Sequence, residues 1–193
     1  MRKLDRLLIV DVEATCWEQE GLDKSMLPRR DESEIIEIGI CTLDLQTGEI
    51  ADADGIIVKP ITSTVSDYCT KLTTLTQTDV DAGISFGEAC KILRKKYDSK
   101  NRTWASYGQY DANIFQRECS RKNVTYPFGS FHINIKAVVE SILGKTMGMA
   151  ETLAKLGLIL DGTHHRGVDD AKNIAKIYKV ILNGVRHDLV TYE

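Results

Sequence analysis

The chain has 193 residues, with 25 Lys and Arg against 28 Asp and Glu, so its formal net charge is −3. Its 42% hydrophobic and 27% charged residues exclude a disordered tail, a collagen-like repeat and a coiled-coil rod, and its length predicts one domain over residues 1–193. The mild acidity argues against a protein that coats nucleic acid through net charge alone, but it allows an enzyme that holds a short stretch of nucleic acid.

The cysteines and the apolar runs indicate the compartment. Five cysteines are widely spaced and odd in number, and no two form a C-x-x-C pair, so we predict free thiols in a reducing environment. The apolar run Leu7–Val10 is too short for a signal peptide, and no apolar stretch approaches the roughly 20 residues of a membrane span. We therefore predict a cytoplasmic protein without a membrane partner.

The first half of the chain is predicted to form strands. Leu7–Val10 is a short run of branched apolar residues, which is typical of a strand buried on both faces. Ile35–Leu43 and Glu49–Val58 are strand-like and flank the turn residues Thr47 and Gly48, which predicts a hairpin. Pro60–Thr78 is rich in Thr and Ser without a clear period, so we predict a loop or short turns. A mobile insertion is also predicted, over the polar segment Pro28–Ser33.

Helices dominate the second half. Ser85 and Glu88 match a capping box in front of an amphipathic run, which predicts a helix there, and Thr103–Tyr107 is strand-like. Further helices are predicted over Tyr110–Lys122, Ile135–Leu143, Met149–Leu156 and Gly167–Val185, with Gly184 marking the end of the last. This order predicts an α/β fold with a mixed sheet, an antiparallel hairpin extended by parallel strands and flanked by helices.

Two carboxylates close the first strand. Side chains alternate along a strand, so Asp11 and Glu13 point to the same face, where they repel each other unless a cation neutralises them. The alternative is a polar strand end in solvent.

Other acids and histidines lie where strands meet helices. Asp111 follows a strand and could equally be a helix N-cap. Asp169 and Asp170 fall in the first turn of the last helix, where acids also complement the helix dipole. His164 and His165 precede them, and no Cys or further His stands at zinc spacing. Each signal has an ordinary structural explanation by itself.

In their order and spacing these residues resemble the DEDDh 3′–5′ exonucleases, whose ribonuclease H-like fold is shared by proofreading exonucleases and RNase T. The resemblance depends on Asp11–Cys16, Ser106–Asp111 and His165–Asp170, the last with the H-x-x-x-x-D spacing of the DEDDh branch. Closer similarity is to the Eri-type exoribonucleases and their bacterial relatives, through the segments Glu34–Gly39, Leu72–Gln77, Ile133–Lys136 and Thr163–Gly167.

The resemblance implies a two-metal active site. Two Mg²⁺ ions, with Mn²⁺ as a substitute, would be held by the carboxylates of Asp11, Glu13, Asp111 and Asp170, and all-oxygen ligation suits such hard ions. His165 would be the general base, since an unperturbed pKa of about 6.5 suits that role. His164 and Asp169 are the rivals by adjacency, and the five-residue spacing favours His165 with Asp170.

The resemblance also implies contacts to the end of a single-stranded substrate, with RNA favoured over DNA, and release of nucleoside 5′-monophosphates from the 3′ end. The positions that match the family are Ala14, Thr15, Trp17, Leu72 and Tyr110. Trp17 offers a flat face for base stacking. The alternative for Trp17, Leu72 and Tyr110 is ordinary core packing. Two other functions remain open: a DNA exonuclease of the proofreading type, and a catalytically silent binding module on the same fold.

Overall fold

A computed structural model describes the backbone of residues 3–18 and 32–191, and the side chains of these residues up to 184. In this part of the chain the strands are β1 (Lys3–Ala14), β2 (Ile35–Asp44), β3 (Ile50–Ile57), β4 (Arg102–Ser106) and β5 (His132–Asn134). The helices are α1 (Asp67–Thr73), α2 (Gln77–Asp81), α3 (Phe86–Lys96), α4 (Tyr110–Arg121), α5 (Ile135–Leu143), α6 (Met149–Lys155) and α7 (Gly167–Thr191).

The strands form one mixed sheet in the order β3-β2-β1-β4-β5. β1 pairs antiparallel with β2, and β2 with β3, which confirms the predicted hairpin. β4 runs parallel to β1 on the other side, and β5 runs parallel to β4. The predicted combination of an antiparallel hairpin and parallel strands is therefore confirmed. β1 lies at the centre, and its acidic end extends past the last residue paired with β4, Ile9, while staying paired with β2.

Both faces of the sheet are covered, which explains why Leu7–Val10 is continuously apolar. Leu8 and Val10 pack in one cluster with Phe86 of α3 and Phe115 of α4. On the opposite face, Leu7 and Ile9 pack with side chains of α5, α6 and α7, including Val139, Leu153 and Ile174. Burial of one such side chain contributes about 1.5–3 kcal/mol.

Helix α7 lies against β2 at two glycines. A Cβ atom built on Gly39 would lie 1.8 Å from the carbonyl carbon of Gly167, and one on Gly167 would lie 2.9 Å from the amide nitrogen of Gly39. No side chain larger than hydrogen fits between these backbones. Because Asp11 is the partner of Gly39 across the strand pair, this contact brings the first turn of α7 next to the end of β1.

The predicted loop Pro60–Thr78 is corrected by the structure, because it contains α1 and the beginning of α2. The Ser66 hydroxyl accepts a hydrogen bond from the Cys69 amide at the start of α1. Thr76 and Asp79 form a complete capping box at the start of α2. The Ser and Thr residues that suggested a loop thus serve as N-caps, which is a role these residues favour.

Other boundaries also differ from prediction. α7 continues through Gly184 to Thr191, because an interior glycine costs a helix only about 1 kcal/mol. The three-residue strand β5 was not predicted, since it is too short to show alternation. Residues 28–31 of the predicted insertion Pro28–Ser33 lie outside the described residues, whereas Ser33 is buried. The capping box of Ser85 and Glu88 is confirmed at α3.

The cysteines and the helices concern the predictions about free thiols and about membrane spans. All five thiols are free, and four of them are buried, as a small hydrophobic side chain would be. None of the helices in the described part of the chain combines the length and the apolar character that crossing a membrane requires.

Candidate active site

Asp11 and Glu13 lie at the end of the central strand β1 and contribute to one pocket of about 220 Å³. Glu13 is buried and Asp11 is half-buried. Asp11 faces Gly39 of β2 across the strand pair, and Glu13 faces Glu37. The alternative of a polar strand end in open solvent is therefore wrong, because these carboxylates lie inside the fold.

Asp111 reaches the same pocket from helix α4. The N-cap of α4 is Gln109, which makes no side-chain capping bond, so Asp111 is not the N-cap of this helix. Its Oδ1 instead accepts a hydrogen bond of 3.0 Å from the backbone N–H of Val12, between the two acids of β1. The strand-to-helix connection after β4 thus directs Asp111 to β1 rather than to its own helix.

Asp170 comes from the first turn of α7. Its Oδ2 accepts the backbone N–H of His165 at 2.9 Å. Its Oδ1 is buried and accepts no hydrogen bond from any residue that the structure describes. One ligand atom from each of Asp11, Glu13 and Asp170 lies within 4.8 Å of the others. A buried carboxylate oxygen without a donor, facing two further carboxylates, is the arrangement expected of a cation site.

The side chain of Asp169 does not line the carboxylate pocket, unlike that of the adjacent Asp170. It accepts the backbone N–H of Thr163 at 2.9 Å and pairs with Lys172 at 2.6 Å. The geometry therefore agrees with the choice of Asp170 that the spacing from His165 favoured.

The four carboxylates disfavour each other's charge. Burial, followed by the proximity of Asp111 and Glu13, raises the pKa of Asp11 well above its ordinary value. Burial and the charge of Asp170 raise the pKa of Glu13 to about 9. Burial also raises the pKa values of Asp111 and Asp170 to about 6. Bound divalent cations would offset this repulsion, so the residues present fit a divalent-metal site.

Both His164 and His165 line the pocket. Their rings stack with centroids 3.9 Å apart, and His164 Nε2 is 4.0 Å from Asp170 Oδ2. His165 has a left-handed backbone with φ of +65°, and its side chain is half-buried. Burial and the neighbouring His164 lower the pKa of His165, which favours the neutral imidazole. Position alone therefore does not separate the predicted base His165 from its rival His164.

Glu37 was missed by the sequence analysis as a functional residue. It is 0% exposed, and its Oε2 accepts the Arg166 Nε and the Gly167 backbone N–H, each at 3.1 Å. Arg166 also donates to the hydroxyl of Thr74, just after α1, at 3.3 Å. These bonds fix the segment that carries His165 and Asp170. The signal in the sequence that could have identified Glu37 was the presence of an acidic residue inside an otherwise apolar strand.

The predicted substrate-binding residues lie in different parts of the structure. Tyr110 is 44% exposed and lines the carboxylate pocket, as do Tyr107 and Met149, which were not predicted. Trp17 is half-buried and lines a second pocket of about 320 Å³ together with Arg121.

The remaining three predicted substrate residues line neither pocket. Ala14 and Thr15 are buried, and the Thr15 hydroxyl accepts the Glu34 amide at 2.9 Å. Leu72 lies half-buried on α1. The side chain of Thr15 is thus engaged by the fold, so its part in substrate binding and those of Ala14 and Leu72 stay predictions.

Comparison with known proteins places this geometry in a family. Residues 8–178 match the RNase T family, described as exonucleases. The chain is 30% identical to the 3′-5′ exonuclease Snipper of Drosophila melanogaster, over 100% of this chain and 76% of that protein. It is 32% identical to 3′-5′ exoribonuclease 1 of Homo sapiens over 90% of this chain, but it spans only 51% of that relative.

A solved structure extends the match to three dimensions. The nuclease domain of 3′hExo, a DEDDh family member bound to rAMP, superposes with a TM-score of 0.81 at 31% identity. The superposition covers 93% of this chain and 92% of that one. Because the match includes all three acidic motifs and the sheet that carries them, the chain belongs to the RNase T family of DEDDh 3′–5′ exonucleases.

Proposed function

We propose that the chain removes nucleoside 5′-monophosphates from single-stranded 3′ ends, with RNA as the preferred substrate, by a two-metal mechanism. The observation that carries the proposal is the convergence of Asp11, Glu13, Asp111 and Asp170 on one pocket, where a buried oxygen of Asp170 accepts no hydrogen bond from the described residues. Three separate elements supply these carboxylates, and a purely structural role would leave their mutual repulsion without a counter-charge.

The four carboxylates would hold two divalent ions, Mg²⁺ or Mn²⁺. Asp11, Glu13 and Asp170 have ligand atoms close enough to share an ion, and Asp111 is held beside them by the hydrogen bond from the Val12 amide. When bound, such a pair of ions stabilises the attacking and leaving oxygens of a phosphodiester displacement.

His165 is proposed as the general base. Its lowered pKa keeps the imidazole neutral near pH 7, so its ring nitrogen can accept a proton from the attacking water. The hydrogen bond from the His165 amide to Asp170 holds the base next to a ligand carboxylate. His164 stays the rival, because it lines the same pocket.

The substrate end is proposed to lie across the two pockets. Tyr110 at the carboxylate pocket and Trp17 at the second pocket present aromatic side chains to unpaired bases, and stacking on such rings contributes about 1–3 kcal/mol per base. The preference for RNA is supported by the human relative, which is named an exoribonuclease, and by the related structure bound to rAMP. DNA is the second candidate, since the Drosophila relative is named an exonuclease without restriction to RNA.

Digestion of matched oligomers tests the proposal. RNA and DNA of one sequence, labelled at the 5′ end, are offered single-stranded and with a base-paired 3′ end, in Mg²⁺ and in chelator. We expect a descending ladder, 5′-monophosphate products, faster loss of single-stranded RNA and no cleavage in chelator. Internal cuts, 3′-phosphate products or metal-independent cleavage would contradict the mechanism, and equal rates on RNA and DNA would remove the preference. Asp11→Asn is the control for a contaminating nuclease.

A further inference from the structure

One end of the carboxylate pocket offers nitrogen as well as oxygen ligands. Ligand atoms of His164, His165 and Asp170 all lie within 4.8 Å of one another. The imidazole rings are nearly parallel, with an angle of 18° and centroids 3.9 Å apart. His164 directs its Nε2 to Asp170, 4.0 Å from Oδ2. Asp11 and Glu13 form a second such group with Asp170, so two donor sets of different chemistry share one carboxylate.

Hydrogen bonds within the protein hold the backbone of the segment that carries the two imidazoles. The carboxylate of Asp170 accepts the His165 amide, and the buried Glu37 accepts the next two donors along the chain, from Arg166 and Gly167. A backbone that is fixed in this way loses little conformational entropy when a ligand binds. Asp170 is only 4% exposed, and its Oδ1 has no donor among the described residues, which points to a cation at this position.

The two donor sets favour different metals. Mg²⁺ prefers oxygen ligands, as on the side of Asp11 and Glu13. Two imidazoles and a carboxylate instead form a typical set for Zn²⁺, which binds nitrogen strongly and keeps a fourth position open for water or substrate. In a tetrahedral site with zinc–ligand bonds of about 2.0–2.2 Å, the ligand atoms lie about 3.3–3.6 Å apart. The present separations are as large as 4.8 Å, so zinc binding requires the side chains to close by up to about 1.2–1.5 Å.

We propose that His164, His165 and Asp170 form an inhibitory zinc site that shares only Asp170 with the carboxylate site for Mg²⁺. Zinc held there occupies the ring nitrogen that His165 needs to accept a proton, and it draws Asp170 away from the other carboxylates. In this proposal His164 serves as a zinc ligand. The zinc binding stands by itself, whereas the inhibition rests on the proposed function.

Direct metal binding by the whole chain tests the site without any nuclease assay. Zinc affinity is measured by competition with a zinc-responsive dye, and Mn²⁺ affinity by electron paramagnetic resonance, for the wild type and single variants. We expect one tight zinc ion per chain and, for His164→Ala, a loss of zinc affinity of about tenfold or more with Mn²⁺ affinity retained. Asp11→Asn should show the reverse pattern. Asp169→Asn, which removes a charge from the same turn but no proposed ligand, is the matched control.

Inhibition is then measured in excess Mg²⁺ with added zinc, each rate being divided by the zinc-free rate of the same variant. The wild type and Asp169→Asn should lose activity at stoichiometric zinc, and His164→Ala should resist. Zinc affinity unchanged in His164→Ala would place the ion on the carboxylates and overturn the proposal, as would the absence of tight zinc binding. If zinc binds as expected but the chain hydrolyses no nucleic acid, the proposed function fails while the zinc site stands.

Discussion

Replacement of Glu37 by Gln tests whether this buried acid positions the catalytic segment. The carboxylate is 0% exposed and accepts two donors at 3.1 Å, Arg166 Nε and the Gly167 amide. A hydrogen bond to a charged group contributes about 1.5–3 kcal/mol. Arg166 is 30% exposed, so solvent screens its share of the interaction. Gln keeps one acceptor oxygen but adds two N–H donors that face existing donors.

We therefore expect Glu37→Gln to lower the free energy of unfolding by about 2 kcal/mol. For a chain of this size the melting temperature shifts by roughly 2–4 °C per kcal/mol, so a decrease of about 4–8 °C is expected. The same change loosens the segment between Arg166 and Asp170, and kcat should fall by about tenfold or more with a smaller change in KM.

Thermal unfolding followed by circular dichroism, together with single-stranded RNA hydrolysis, measures both effects. Glu49→Gln is the matched control, since Glu49 is an exposed acid in the turn after β2 and should leave the melting temperature and kcat near their wild-type values. If Glu37→Gln unfolds like this control and keeps full kcat, the assignment of Glu37 as the anchor of the catalytic segment is wrong.

Three further predictions concern the pocket itself. Asp11→Asn should lower turnover by orders of magnitude while circular dichroism shows an intact fold, and near-normal rates in Mg²⁺ would refute the metal assignment. His165→Ala should lower kcat by about 10²-fold or more and flatten the acid limb of the pH–rate profile, with a much smaller effect for His164→Ala; the opposite ranking would make His164 the base. The third prediction is a pH dependence of stability in chelator. Folding raises the pKa of Glu13 to about 9, above an unfolded value of about 4.3, so the folded state binds the extra proton and stability falls as pH rises through this window. The melting temperature in chelator should therefore be higher at pH about 6 than at pH about 9, and saturating Mn²⁺ should reduce or reverse the difference; a pH-independent melting temperature in chelator would contradict this.

Local pattern was sufficient for much of the fold. The apolar run of β1, the hairpin β2–β3 and the capping box of α3 each depend on residues close together in the chain, so their signals are complete within a short window. The same is true of the alternation that puts Asp11 and Glu13 on one face. The short helices α1 and α2 escaped prediction because a Ser- or Thr-rich segment has the same composition whether its hydroxyls cap a helix or form a loop.

The identity of the motif residues was available from the sequence, whereas their roles needed the tertiary structure. H-x-x-x-x-D spacing favours Asp170, and only the structure shows that the carboxylate of Asp169 is bound to Thr163 and Lys172 instead of lining the pocket. Sequence proximity could not show that the two histidine rings stack, with His164 Nε2 4.0 Å from Asp170 Oδ2, because the left-handed backbone of His165 is not visible in the sequence.

Glu37 illustrates both what the sequence determined and what only the tertiary structure decided. The sequence alone determined the strand that carries this acid and the order of the motifs, because strand periodicity and motif spacing are properties of neighbouring residues. Only the tertiary structure decided that Glu37 faces Arg166 and Gly167, 129 and 130 positions along the chain. That contact requires the backbones of β2 and α7 to touch at Gly39, and packing between elements so distant in sequence leaves no periodic signal in either of them.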